Sequence, residues 1–140
     1  MVAWAARAVI AAGLWKSAAV VGPGSRVAEV LPDQLQVLIN PDPSRGLGSS
    51  LAVGARWALE VGAGVMVVVL GDMPLVRPEV IAAVAREAWR VPAGAASGIV
   101  GQRRVHPVGF ARAHLKELAE LEGDVGGGWC WSGWGRVWGG

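Results

Sequence analysis

A single cysteine, Cys130, stands in 140 residues. That excludes an internal disulfide framework and any metal site built on several thiolates. It suits a reducing compartment, and the expected location is cytoplasmic. Histidine is nearly as scarce. His106 and His114 are the only two, and without a ligand cluster around them no transition-metal centre is indicated. Charge of one sign is never concentrated: 13 Lys and Arg oppose 11 Asp and Glu, and the longest like-charged block is Arg103-Arg104. Such dispersion fits neither a nucleic-acid groove nor a polybasic membrane patch. Long apolar runs are missing too. The longest, residues 61–70, includes two glycines and is too short to cross a bilayer. The apolar start carries Arg7 in its middle and no basic cluster ahead of it. It reads as a core-facing helix rather than a signal peptide.

Apolar residues are plentiful, at 53% of the chain, which is ample for the core of one domain. Their spacing gives an order of elements. Residues 3–14 are Ala-rich with Trp4, Ala8 and Trp15 near helical spacing, and Gly13 weakens the end. Residues 18–21 form a short strand closed by Gly22-Pro23-Gly24. Ser25 can cap a helix running through Val27, Val30 and Leu31, which Pro32 stops. A second strand, 34–39, ends at Asn40-Pro41-Asp42-Pro43, where no helix survives the two prolines. Ser49 or Ser50 is expected to cap the next helix, with Leu51, Ala55, Ala58 and Leu59 on one face. Residues 65–70 are apolar without alternation, which suits a strand buried on both faces of a parallel sheet. That strand ends at Gly71-Asp72-Met73-Pro74. Pro78 and Glu79 open a helix with Val80, Ile81, Val84 and Ala88 inward. Weaker strands at 95–100 and 108–110 precede a helix at 112–121 with Leu115, Leu118 and Leu121 as its stripe.

Alternation of this kind predicts an α/β domain, three-layer α/β/α with a mostly parallel sheet. Ligands in such sheets sit at the carboxyl ends of the strands, so the loops 22–25, 40–50 and 71–74 draw interest. After Asp124 the character changes to a Gly/Trp-rich stretch with neither helical nor strand period. Residues 1–124 are therefore expected to form the domain and residues 125–140 an unstructured tail.

Three of these segments could carry chemistry. Asp72 follows a buried strand, at the ligand-facing edge of the sheet, and a charged carboxylate there needs a cation or hydrogen bonds to compensate its desolvation. Mg²⁺ with nucleotide phosphate is the natural partner, because Mg²⁺ uses one or two carboxylates plus phosphate oxygens. The bland alternative is an Asp accepting backbone N–H bonds in a turn. The loop Asn40 to Ser50 leads into a helix N-terminus, where backbone N–H groups bind anions. Its bland alternative is a Pro/Gly turn with an ordinary serine cap. His106, before Pro107, could serve as acid, base or substrate contact, or be a surface residue of a loop. Two other motifs are excluded. Gly22-Pro23-Gly24-Ser25-Arg26-Val27 lacks the third glycine of a dinucleotide fingerprint. The paired serines lack a G-x-S-x-G elbow.

Taken in order, NPDPSRGLGSSLAVG, VMVVVLGDMP and RRVHPVGFARAHLKELAELEGDVG resemble the MobA-like nucleotidyltransferases, with the molybdenum cofactor cytidylyltransferases as the nearest branch. The resemblance spans roughly residues 5–126. It implies a Rossmann-like nucleotidyltransferase fold and transfer of CMP from CTP (or GMP from GTP) to molybdopterin, with release of pyrophosphate. It also implies that Asp72 holds Mg²⁺ and is the catalytic carboxylate. By the same resemblance Asn40, Gly46, Gly48, Ser49 and Ser50 line the nucleotide and substrate cleft. His106 and Pro107 match a Gly-His-Pro motif on the substrate side, with Val105 in place of its Gly. Gly123 and Asp124 match a Gly-Asp pair at the cleft rim. A molybdoenzyme or accessory chaperone would be the protein partner; neither nucleic acid nor membrane is implied.

Two departures are equally legible. The family opens with a strand and a Gly-rich loop that cradles the triphosphate, and no segment here matches it. A D-x-D-T-P-like segment with a second metal carboxylate is replaced by the Gly/Trp stretch. The expected consequence is a chain truncated at both ends of the family pattern, with Asp72 a weak Mg²⁺ site by itself. The competing expectation is a catalytically inactive relative that acts at most as a binding remnant. A third is another branch of the same fold acting on a sugar or alcohol phosphate.

Overall fold

The computed structural model describes residues 2–71, 76–100 and 103–120. Asp72, Gly123, Asp124 and the whole of 125–140 lie outside the described residues. Helix α1 (Val2–Ala11) leads to strand β1 (Ala18–Val21), a 3-10 turn (Arg26–Val30) and strand β2 (Gln36–Ile39). A second 3-10 turn (Pro43–Arg45) precedes helix α2 (Leu47–Glu60) and strand β3 (Val65–Val68). Helix α3 (Pro78–Arg90), strands β4 (Ala95–Val100) and β5 (Arg103–Ala111) and helix α4 (Arg112–Ala119) complete the order. Among the described residues no helix is long and apolar enough to cross a membrane.

Most elements fall where the sequence predicts. Ser25 accepts the Val27 N–H at 3.2 Å and so caps the first 3-10 turn. Helix α1 stops at Ala11, three residues early, and the chain turns through Gly13. Strand β5 is far longer than the expected 108–110, because Val105, Val108 and Phe110 extend its β-forming character back to Arg103.

The expected α/β class and three layers are present. Strands β1 and β2 pair in parallel, Ala18 with Gln36 through Val21 with Ile39. Strands β3, β5 and β4 form a second, antiparallel sheet in that order. Strand β3 thus differs from the expected both-face-buried parallel strand. It is half-buried and runs against β5, from Val65 opposite Ala111 to Val68 opposite Val108.

Two helical layers cover the antiparallel sheet. On one face α2 and α4 bring Leu51, Ala55, Ala58, Leu115 and Leu118 against Val108, Phe110, Met66 and Val68. On the other, α3 sets Val84 and Ala88 against Ala96, Val65 and Val67. A Cβ at Gly109 would stand 3.0 Å from Val84 Cγ1 and 3.1 Å from the Val84 carbonyl oxygen. Only glycine lets α3 lie this close on β5. Helix α4 is tied down at its start. The Arg112 N–H donates to the Gly64 carbonyl at 2.9 Å, and His114 Nε2 donates to the Ala93 carbonyl at 2.7 Å. His114 is half-buried there.

Candidate functional site

The best-defined polar cluster is at the carboxyl end of β2. The Asn40 N–H donates to the Val21 carbonyl at 2.8 Å, which carries the β1–β2 pairing one step past the strands. The Asn40 side chain is buried, and both ends of its carboxamide are used. Nδ2 donates to Ser49 Oγ at 2.9 Å and to Ser50 Oγ at 3.0 Å. Oδ1 accepts the Asp42 N–H at 3.1 Å, a local turn that suits the Asn-Pro-Asp-Pro sequence. Ser49 Oγ in turn donates to the Gly46 carbonyl at 2.7 Å. The Ser44 hydroxyl donates to the Asp42 carboxylate. One buried amide thus fastens both ends of the loop 40–50.

That loop delivers a helix end. Gly46 has φ 95°, a left-handed conformation that glycine adopts at least cost. Helix α2 begins at Leu47 with Gly46 as its cap and no side-chain hydrogen bond there. The sequence predicts a cap at Ser49 or Ser50. Instead both lie inside the first turn, and their hydroxyls turn back to the loop rather than to the helix amides. The competing partner is Asn40, which offers the serines a buried donor. The result is a first turn that no side chain caps, with the Ser49 N–H donated to the Gly46 carbonyl at 3.1 Å and partial positive charge at the helix end, a setting that favours phosphate and other anions. Gly48 is buried in that turn.

His106 and Pro107 lie in strand β5, not in the loop expected for them. Pro107 is buried and His106 half-buried. The β4–β5 ladder steps over both, passing from Ser97 opposite Val108 to Gly98 opposite Val105. Such a bulge re-aims side chains. His106 lies two residues before Val108, which makes the last β3–β5 pair with Val68. The Asn40 cluster lies at the carboxyl end of β2, on the other sheet. Sequence reasoning missed the neighbour of this bulge. Ser97 is 2% exposed and its hydroxyl has no hydrogen-bond partner among the described residues. Nothing in its local sequence distinguishes it from a surface serine.

A cavity of about 640 Å³ opens beside this edge, between β1 and β3. Ser25, Ser50 and Gly71 are among its lining residues. Among the described residues no group of three or more His, Cys, Asp or Glu could hold a metal ion. The described residues therefore do not by themselves fit a protein-held metal. Asp72, the expected ligand, lies outside them, as does Asp124.

A layered α/β domain with a fastened loop and an uncapped helix end at its carboxyl edge is a nucleotide-handling class of architecture. The chain belongs to the MobA-like NTP transferase domain family, whose sequence pattern matches residues 1–135. The bifunctional protein GlmU of Xanthobacter autotrophicus is 38% identical over 110 residues. That match takes in 73% of this chain but 22% of GlmU, so the chain spans about a fifth of that relative's length. Rv0371c of Mycobacterium tuberculosis H37Rv, solved in complex with manganese, is 22% identical with a TM-score of 0.75, covering 99% of this chain and 76% of its own. A second structure of Rv0371c gives 24% identity and a TM-score of 0.77, over 99% and 74%. Its homologue from Mycobacterium sp. strain JC1 is 26% identical with a TM-score of 0.72, over 96% and 70%. These likenesses support the fold described above.

Proposed function

We propose that the chain binds a nucleoside triphosphate at the carboxyl edge of β1 to β3 and transfers its nucleoside monophosphate to a phosphate-bearing acceptor. The observation that carries this reading is the Asn40–Ser49–Ser50 knot, which holds the loop at the start of α2, a helix end without a side-chain cap. Asn40, Ser49 and Ser50 act by fixing the loop, since their polar atoms bond one another. Gly46 and Gly48 keep the turn close and free of side chains. A phosphate oxygen would be held by backbone N–H groups. Arg45 and Arg77 stand at the starts of α2 and α3, as candidates for outer phosphate contacts.

The reaction is an in-line displacement. An oxygen of the acceptor phosphate forms a bond to the α-phosphorus, the α–β bridging bond breaks, and pyrophosphate leaves with the electron pair. Catalysis of this type is mostly positioning and electrostatic stabilisation. Asp72 is the proposed carboxylate for a divalent cation, with Mg²⁺ as the proposed ion. The cation would draw its other ligands from phosphate and water, and its chemistry is to offset charge on the phosphates. By the family resemblance, His106 and Pro107 are the proposed acceptor-side residues and Asp124 the proposed rim carboxylate.

The first reading of the substrates is CTP, or GTP, with molybdopterin, which would make a molybdoenzyme or its chaperone the downstream partner. A second acceptor class, a sugar phosphate, is favoured by the likeness to GlmU. Calorimetric titration of CTP and GTP into the chain, with and without Mg²⁺, tests the nucleotide half. Pyrophosphate release with molybdopterin against a sugar phosphate then tests the acceptor. Saturable, Mg²⁺-dependent binding that Asp72→Asn abolishes at unchanged Tm supports the site. A folded chain that binds neither nucleotide is instead the inactive relative.

A further inference from the structure

The amino ends of β1 and β2 lie together, because the two strands are parallel and pair from Ala18 opposite Gln36 onward. This is the other end of the strands from the Asn40 knot. A second hollow, of about 280 Å³, opens there. Trp57, from the last turn of α2, gives it a flat apolar wall. Trp15 adds a second indole and is 73% exposed. Lys16 Nζ stands 5.0 Å from the centre of the Trp15 ring, so the cation is held beside the indole. Gln36 is oriented as well. Trp57 Nε1–H donates to Gln36 Oε1 at 3.2 Å. An indole N–H only donates, so the carboxamide must turn its oxygen to Trp57. That leaves Nε2, with two N–H groups, on the side away from the indole, and among the described residues it donates to none. Ser17 and Gln34 add a hydroxyl and a second carboxamide. None of the lining residues is acidic.

We infer that this hollow is a binding site for a monosaccharide that carries one phosphate group. Charge decides the sign of the ligand. A lysine and a carboxamide with two free N–H groups, with no carboxylate in the lining, favour an anion. Charge-assisted hydrogen bonds to phosphate oxygens are the strong ones, and Lys16 Nζ and Gln36 Nε2 supply them here. The remaining polar groups decide what bears the phosphate. Ser17 and Gln34 each donate and accept, so they match ring hydroxyls. A ring without hydroxyls would leave both unused. The indoles suit the apolar C–H face of a sugar, since a tryptophan offers a broad flat surface with a polar tip. Size sets the limit at one ring. Pockets for drug-sized ligands run from about 300 to 1,000 Å³, and this one is about 280 Å³. The site is apart from the nucleotide edge by the length of β1, and it stands whether or not that reading does.

The test is titration of glucose 6-phosphate into the intact chain, with glucose and inorganic phosphate as separate probes. The readout is the indole N–H signals of Trp15 and Trp57 in nitrogen–proton correlation NMR spectra, assigned with Trp15→Phe and Trp57→Phe. The expected result is saturable movement of both signals with glucose 6-phosphate, and binding roughly tenfold weaker or worse for glucose and for phosphate alone. Gln36→Glu keeps an acceptor for the Trp57 N–H but puts a negative oxygen in place of the free donors. Gln36 is exposed, so Tm should hold while affinity for glucose 6-phosphate falls roughly tenfold or more. Lys16→Gln should act in the same direction. No saturable movement, affinity unchanged in Gln36→Glu, or equal binding of inorganic phosphate would overturn the inference. Signals that move only at residues 40–50 would also overturn it, since the sugar phosphate would then bind at the nucleotide edge alone.

Discussion

The antiparallel half and the parallel half of this domain are built to opposite ends. Around β3, β5 and β4 the inward residues are sealed: Ala95 is 0% exposed, Val108 1% and Phe110 2%. In β2, Ile39 is 52% exposed and Val37 39%. One half has helices on both faces. The other has a two-stranded sheet with α2 against it and an open slot at its side. The difference separates two tasks. Stability resides where apolar area is removed from water on both faces, while the candidate site sits on the thinner half, held by hydrogen bonds. Regions of few buried contacts open locally at lower free energy than cores, and binding loops are drawn from them.

The comparison can be broken from its strong side first. Phe110→Ala should cost about 3–5 kcal/mol and unfold the two halves together, read as a lowered denaturant midpoint for every probe. Gly109→Val should follow at about 1–3 kcal/mol, through overpacking against α3. Asn40→Ala should act differently. It removes the acceptor of the Asp42 N–H and the donor to both serine hydroxyls, at about 1–3 kcal/mol, but the loss should stay local. Exchange over residues 40–50 should quicken and nucleotide affinity fall at least tenfold, while residues 95–111 keep their protection. Ser97→Ala is the smallest and has the opposite sign. Removing an unpaired buried hydroxyl should leave Tm unchanged or slightly raised in a thermal melt.

The two halves also differed in how legible they were. The Pro and Gly signals at 22–24, 32 and 40–43 punctuate β1 and β2 so sharply that their positions follow from the sequence. The Val84 and Ala88 face of α3 and the Leu115 and Leu118 stripe were equally plain, because amphipathic spacing reports burial directly. Strand β3 misled. Its unbroken apolar run, 65–70, reflects apolar neighbours on both faces, and that pattern does not encode the direction of the strand beside it. The α2 cap misled for another reason. A serine near a helix start is usually its cap, yet here Asn40, nine and ten residues upstream, donates to both hydroxyls. Asn40, Gly46, Gly48, Ser49 and Ser50 were legible as a group only through the family resemblance. The buried knot that joins Asn40 to the two serines depends on tertiary placement that no local spacing shows. Asp72 and Asp124 remain proposals resting on that resemblance.

The central claim is that the thinner half binds nucleotide at its carboxyl edge. Amide hydrogen exchange of the chain with and without CTP and Mg²⁺ tests it most directly. The account predicts slowed exchange at residues 40–50 and around 69–71, with residues 95–100 and 108–119 unchanged. Protection confined to the antiparallel half, or nucleotide binding with no change at 40–50, would contradict it.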